Sequence, residues 1–370
     1  MIIKSTLKLA VILTILFCAL PVTAGKYYTL DEYIQIHPEE IIRAENFRKI
    51  VSNNTVTKHN NLTSPKIAYI YPGAQVSDYW RRSIAALQNR FLQYEIKPEI
   101  LQFPIPPSAK ATGLAAIFHK AMRAEPDYLI FAFDIKRHQR IIEPALISGK
   151  PKIILQNITT PLKEWESRQP FMYVGFDHAT GSKDLGRYFA AKVNGQGGYA
   201  VLLPNPGYLN DVRGKTFISY MDHNTSMNLV SLFQTGIDKD KAREATRRII
   251  AKYPDIDFIY ACSTDIALGA SEALQSAGLQ GKILLNGWGG GAPEIKALKK
   301  NALDVTIMRI NDDNGVAMAD AIILDMLGKK SQIPLVFSGR FEIVVKGIPD
   351  AKLLQLQQES FRYSGNPKDN

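Results

Sequence analysis

Cysteine is almost absent from this 370-residue chain, with only Cys18 and Cys262. Cys18 falls in an apolar leader, so a processed chain keeps one thiol and has no disulfide framework. An apolar core must hold the fold instead. Histidine is scarce as well: His37, His59, His119, His138, His178 and His223 show no metal-ligand spacing. A P-loop and a G-x-S-x-G nucleophile elbow are missing, and Asp312-Asp-Asn314-Gly lacks the ligand spacing of a calcium loop. Beyond the leader, no apolar run is long enough to span a bilayer. The net charge is +10, but Lys and Arg are interspersed with Asp and Glu rather than run together, which argues against a nucleic-acid partner. Cys262 sits inside an apolar run, as a packed thiol does. These absences point away from an enzyme, a metal site and a bound cofactor.

What is present begins with a leader. Lys4 and Lys8, the apolar stretch Leu9 to Leu20 and the small residues Val22-Thr-Ala24 predict a secretory signal peptide over 1–24. Residues 25–65 stand apart: two short amphipathic helices, then the Asn- and Pro-bearing linker from Asn53 to Pro65. They fit either a clasp on the main body or an arm for a partner. From Lys66 the chain alternates apolar strands with helical windows, restarts after the Pro-rich break Pro161 to Pro170, and ends with a strand over Phe341 to Lys346. Such alternation predicts an α/β protein with two doubly wound parallel-sheet lobes joined by a hinge. The expected division is 66–160 plus 292–328 for the first lobe and 161–291 plus 329–360 for the second, with 361–370 as a tail.

In such sheets, small ligands meet the carboxyl ends of the strands and the helix N-termini that follow. The first such end is Tyr71-Pro-Gly-Ala-Gln75-Val-Ser77-Asp-Tyr-Trp80, where Ser77 or Asp78 would cap a helix whose face is Trp80, Ile84, Leu87 and Phe91. Asn157 closes the fourth strand and suits a hydroxylated ring, or simply forms an interlobe turn. Arg213 opens a helical window, where a cation opposes the helix dipole; it either faces solvent or is held for an anion. Thr264 bonds a ligand or caps the next helix, and Asp134 is a weaker candidate that would touch ligand or hold Arg137. Asn286-Gly-Trp288-Gly-Gly-Gly-Ala292 matches G-x-G-x-x-A, a dinucleotide fingerprint, but lies late in the second lobe and runs into Pro293. A glycine turn presenting Trp288 across a small ligand from Trp80 is the better reading. Arg309 ends a further strand, and two arginines without nearby carboxylates predict an anionic ligand.

With these motifs in hand, the chain resembles the ribose-type periplasmic binding proteins. Within that fold, the stretches around Gln75 to Trp80, Gln156-Asn157-Ile-Thr-Thr-Pro, Tyr-Val-Gly-Phe-Asp177-His, Asp-Val-Arg213-Gly, Ser-Thr264-Asp, Asn-Gly-Trp288-Gly-Gly-Gly and Met-Arg309-Ile-Asn are similar to the autoinducer-2-binding receptors of vibrios, the LuxP type. The resemblance runs from about Tyr27 to Tyr363. It implies a periplasmic, non-enzymatic receptor that holds autoinducer-2 as a furanosyl borate diester, boron entering as part of the ligand, and passes the signal to the periplasmic domain of a membrane-bound hybrid histidine kinase. The contacting residues it implies are Gln75, Ser77, Trp80, Asn157, Arg213, Thr264, Trp288 and Arg309. The tryptophans would supply flat faces and indole N–H donors. The resemblance is thin at Arg187, Lys192, Gly195 to Gly198 and Asp238 to Lys241.

Overall fold

The computed structural model describes residues 25–59, 62–106, 109, 111–134 and 136–365, so the expected leader lies outside it. Two short helices come first, α1 (Leu30–Ile36) and α2 (Glu39–Ser52). Thr29 starts α1 with a capping box, bonding the Glu32 amide while the Glu32 carboxylate returns to its own. Next come β1 (Lys66–Pro72), α3 (Tyr79–Gln93), β2 (Glu99–Ile105), α4 (Ala111–Met122), β3 (Tyr128–Ala132), α5 (Lys136–Ser148) and β4 (Lys152–Gln156). They are followed by β5 (Met172–Phe176), α6 (His178–Lys192), β6 (Gln196–Leu203), α7 (Thr216–Asn224), β7 (Ser226–Gln234), α8 (Lys239–Lys252), β8 (Phe258–Ala261) and α9 (Thr264–Ser276). The chain closes with β9 (Leu284–Gly289), α10 (Ala292–Lys299), β10 (Val305–Arg309), α11 (Asp312–Met326), β11 (Val336–Gly339), β12 (Phe341–Val345) and α12 (Asp350–Ser360).

The strands form two sheets, ordered β11-β5-β4-β3-β1-β2 and β12-β10-β9-β8-β6-β7. Every pairing is parallel except β12 against β10. Central strands such as β3 and β10 are buried at every residue, because helices cover both faces of each sheet. Each sheet carries its own core, one around Ile130, Val174 and Phe337, the other around Phe258, Tyr260 and Ile307.

The sheets correct the expected division. β5 is expected in the second lobe, but Leu155 pairs with Tyr173, so β5 extends the first sheet. The strand over Asp304 to Ile310 is expected in the first lobe, but β10 pairs with β9 in the second; α11, packed on α3, goes back, and so does β11, which pairs with β5 although 329–360 is expected in the second lobe. The window at 292–299 likewise stays with the second core, through Ile295 and Leu298. The chain therefore crosses between lobes three times: at Asp177, at Ile310–Asn311 and at Arg340. The last two are hydrogen-bonded, Ile310 N to Arg340 O at 2.9 Å. Short elements missed by pattern alone are β11, α10 and α12.

The extension packs on the first lobe. Phe47 and Val51 of α2 are fully buried in its core, and Phe47 meets Phe337 edge-on. Arg90 of α3 grips this region from below, its guanidinium paired with Asp320 of α11 and donating to the Ile50 and Asn53 carbonyls. The tail is tied down too. Asp312 accepts from the Tyr363 and Ser364 amides at 2.7 and 2.6 Å, and Arg82 donates to the Gly365 carbonyl at 2.7 Å. Because α12 and Phe361 belong to the second core, this tail straps one lobe to the other.

Candidate functional site

The strand ends of both sheets face one interlobe cavity of about 160 Å³, which all eight sequence-predicted residues line. An engineered cavity of about 150 Å³ takes up benzene, so this volume fits one small cyclic molecule. Gln75, Ser77 and Trp80 come from the β1–α3 connection and Asn157 from the end of β4. Arg213 comes from the segment after β6, Thr264 from the start of α9, Trp288 from β9 and Arg309 from the end of β10.

Each residue is fixed by its neighbours. Trp80 donates its indole N–H to Gln75 Oε1 at 2.9 Å, and Trp288 donates its own to the Tyr260 hydroxyl at 3.2 Å. Both indole donors are thus engaged within the protein, contrary to the expectation that they serve a ligand. Trp288 also carries the Arg213 guanidinium 3.7 Å over its ring, so on that face a cation, not a ligand, is stacked. Ser263, not Thr264, caps α9 by accepting from the Ile266 amide, which leaves the Thr264 hydroxyl to the cavity. Asn157 holds a left-handed backbone, φ +69°, which asparagine tolerates better than most residues. Its buried Oδ1 has no hydrogen-bond partner among the described residues.

The glycine turn after β9 is shaped by contact. Gly290 has φ +67°, and a Cβ on Gly289 would lie 2.9 Å from both Arg309 Nη2 and Thr264 Oγ1. The buried Glu294 carboxylate anchors the turn, accepting from the Trp288 and Gly290 amides at 2.8 and 2.7 Å. The sequence patterns did not single out Glu294; a carboxylate in the first turn of α10, just beyond the glycine turn and Pro293, was the available signal.

The two arginines dominate the electrostatics. Arg213 is buried in a π-helical turn, Asn210–Lys215, and does not face solvent. It donates to the Cys262 carbonyl at 2.8 Å and to the His178 ring. Arg309 lies 4.1 Å over the Tyr79 ring, and its buried Nε has no hydrogen-bond partner among the described residues. Neither makes an ion pair among the described residues. Burial, then the charge of Arg309, pushes Arg213 down to about 10, and burial lowers Arg309 too. Two cations held this way in a low-dielectric cavity favour a bound anion. Among the described residues, no group of three or more His, Cys, Asp or Glu is placed to hold a metal ion.

Hydrogen bonds across the cleft hold the lobes together. Asp78 of the first lobe accepts from the Ala292 amide of the second at 3.2 Å; in return Asp265 of the second accepts from the Val76 amide of the first at 2.8 Å. Asp78 is also engaged by Arg82, so it makes no side-chain cap of its own helix. Asp134, at the end of β3, takes the Leu209 amide at 3.0 Å. Whether it holds Arg137 concerns a side chain outside the described residues. Burial pushes the Asp134 carboxyl up to about 6 from an ordinary 3.8, against the Leu209 amide and Arg213, which pull it down. Its ionisation therefore opposes the folded state: the stability it contributes is complete below about pH 4 and lost as pH rises through about 6. Asp134→Asn is expected to flatten that interval by about 1–2 kcal/mol, since part of the side chain still meets the cavity. Thermal unfolding of both proteins between pH 4 and pH 7 measures it.

Residues 67–331 match the sequence profile of the periplasmic binding protein domain. The chain belongs to that family. Relatives of this periplasmic binding protein include the ribose import binding proteins RbsB of Salmonella typhimurium and Escherichia coli, each 26% identical over 156 residues, 41% of this chain and 52% of theirs. The chain thus spans about half the length of the curated relatives it matches. Among solved structures, a solute binding protein of an ABC transporter from Agrobacterium vitis with bound D-fucose has TM-score 0.70 at 17% identity, covering 78% of this chain and 99% of that one. GanP, a glucose-galactose binding protein from Geobacillus stearothermophilus, has TM-score 0.67 at 18% identity, covering 78% and 100%. The XylFII–LytSN complex gives TM-score 0.65 at 17% identity, covering 77% and 99%. These structures share the fold of this periplasmic binding protein: two α/β lobes with parallel sheets.

Proposed function

We propose that this protein is a periplasmic receptor for autoinducer-2 in its furanosyl borate diester form, and that lobe closure relays the ligand's presence to a membrane hybrid histidine kinase. The observation that carries the reading is the pair Arg213 and Arg309, buried on one small cavity and ion-paired with no carboxylate among the described residues, although Asp134 and Asp265 also line that cavity. A tetrahedral borate ester is a monoanion, so it would complete both guanidinium groups through charge-assisted hydrogen bonds. Its ring hydroxyls would meet Gln75, Ser77, Asn157 and Thr264, with Asn157 Oδ1 ready to accept. The motifs shared with the LuxP-type receptors support the same ligand. No reaction is performed on it, and no cofactor beyond the boron of the ligand is invoked. Closure would present a changed surface to the kinase, because the ligand touches both lobes.

A second reading has its own support. The RbsB relatives are named for ribose import, and structural neighbours are described with bound sugars. On that reading the protein delivers a sugar or sugar phosphate to an ABC importer. Thermal unfolding with synthetic autoinducer-2 precursor, with and without borate, and with ribose separates the two. A ligand at 100 times its Kd adds about 2.7 kcal/mol of stability. A rise in Tm requiring both precursor and borate supports the receptor; a rise with ribose alone supports the importer.

A further inference from the structure

His178, the first residue of α6, stands where the chain first crosses between the lobes, and it is 1% exposed. It does not line the cavity but lies behind Arg213. Its Nε2 is 3.2 Å from the Asn157 carbonyl oxygen on the first lobe. Its Nδ1 is 3.3 Å from Arg213 Nε and 3.2 Å from Nη2 on the second. A carbonyl only accepts and a guanidinium only donates. One state of the ring satisfies both: neutral, with the proton on Nε2 and the lone pair of Nδ1 turned to Arg213. Tyr208 and Trp288 stand edge-on to the imidazole at 5.9 and 5.2 Å and fix its plane. Burial first, then the charges of Arg213 and Arg309, push its pKa well below the usual value, against the Asn157 contact.

The choice of residue here has a consequence for ligand charge. A carboxylate behind Arg213 would also orient the guanidinium, but would cancel its charge. A neutral acceptor orients it and leaves the charge for the cavity. We infer that His178 is the positioning residue that sets the charge selectivity of the site, steering Arg213 as an uncharged acceptor so that both arginines remain available to an anionic ligand. The inference rests on the reading of the cavity as a borate-ester site.

The test compares His178→Asp, His178→Asn and His178→Leu with the unaltered protein. Calorimetric titration with autoinducer-2 precursor, with and without borate, gives each protein's preference for the borated form, and circular dichroism checks folding. His178→Asp is expected to reduce that preference by about tenfold or more, the scale of losing a hydrogen bond to a charged group. His178→Asn keeps an uncharged acceptor and is expected to lose affinity while retaining the preference. His178→Leu should weaken the borated form more than the unborated one. A purely structural role would lower both affinities together and keep their ratio in His178→Asp and His178→Leu as well, and that result would overturn the inference. In the unaltered protein, ring carbon and nitrogen chemical shifts should report the neutral Nε2–H tautomer from pH 6 to pH 8; an imidazolium there also overturns it. If the unaltered protein shows no preference for the borated form, the parent reading fails before any variant is measured. If it does, and His178→Asp prefers the borated form equally, only the role of His178 fails.

Discussion

Replacing Arg309 with Met is expected to weaken binding of the borated ligand by roughly 1.5–3 kcal/mol, the range for hydrogen bonds to charged groups. In the same variant the empty protein should melt at a higher temperature. Both effects have one source. Arg309 is buried over Tyr79 with an unpartnered Nε, and burial lowers its pKa, so the empty protein carries the cost of a charge it does not pair. Methionine fills a similar path across the ring with a flexible thioether and no charge. Opposite signs for affinity and stability would mark a residue selected for the ligand rather than for the fold. Titration calorimetry and scanning calorimetry measure the pair. Unchanged affinity would remove Arg309 from the site.

Asp320→Ala is expected to cost about 3–5 kcal/mol of global stability, as removal of one partner from a buried ion pair does. Asp320 meets Arg90 through two bonds, 2.8 Å to Nε and 3.0 Å to Nη2, and takes the Tyr94 hydroxyl at 2.9 Å. Both side chains are almost wholly inaccessible, at 1% and 0% exposure. Without Asp320, the Arg90 charge stays in the interior with only uncharged oxygen partners, among them Gln93 Oε1 of its own helix. The other partners belong to the α2 region and to Tyr363 of the tail, so both attachments should loosen. Urea unfolding gives the stability, and limited proteolysis near Asn53 tests the loosening. A loss below about 1 kcal/mol would mean that neighbours or water replace the carboxylate.

Much of the site was legible because strand ends obey local rules. Tyr71-Pro-Gly stops a strand, Trp80 and Ile84 start a helix face, and what lies between must face the crevice. The same logic found Asn157, Thr264, Trp288 and Arg309, each just after or at the end of an apolar run, and Arg213 in the helical window that follows β6. What was not legible depends on partners distant in sequence. Met172 to Phe176 has the apolar pattern of a buried strand in either lobe, and only pairing with β4 assigns it to the first. β10 is equally silent until it meets β9 and β12. The indole donors of Trp80 and Trp288 looked free because Gln75 is five residues from Trp80 and Tyr260 is 28 from Trp288. His178 was hidden by its setting: an Asp followed by His just after an apolar strand resembles an ordinary helix start, and its role appears only when Asn157 and Arg213 close on it.

The reciprocal bonds of Asp78 and Asp265 place the loop from Gln75 to Trp80 in two roles. It supplies four of the residues that line the cavity, Gln75, Ser77, Tyr79 and Trp80, and it is also a bolt between the lobes. Hydrogen bonds to charged groups contribute about 1.5–3 kcal/mol each, and these two need no ligand to form. If the protein is the receptor proposed above, they set its resting position. A closed state already populated would make small doses of ligand sufficient, since apparent affinity scales with the competent fraction. The same bias would raise the output in an empty environment. Sensitivity and background noise would thus be adjusted together, by two carboxylates that line up backbone amides rather than by the residues that recognise the molecule.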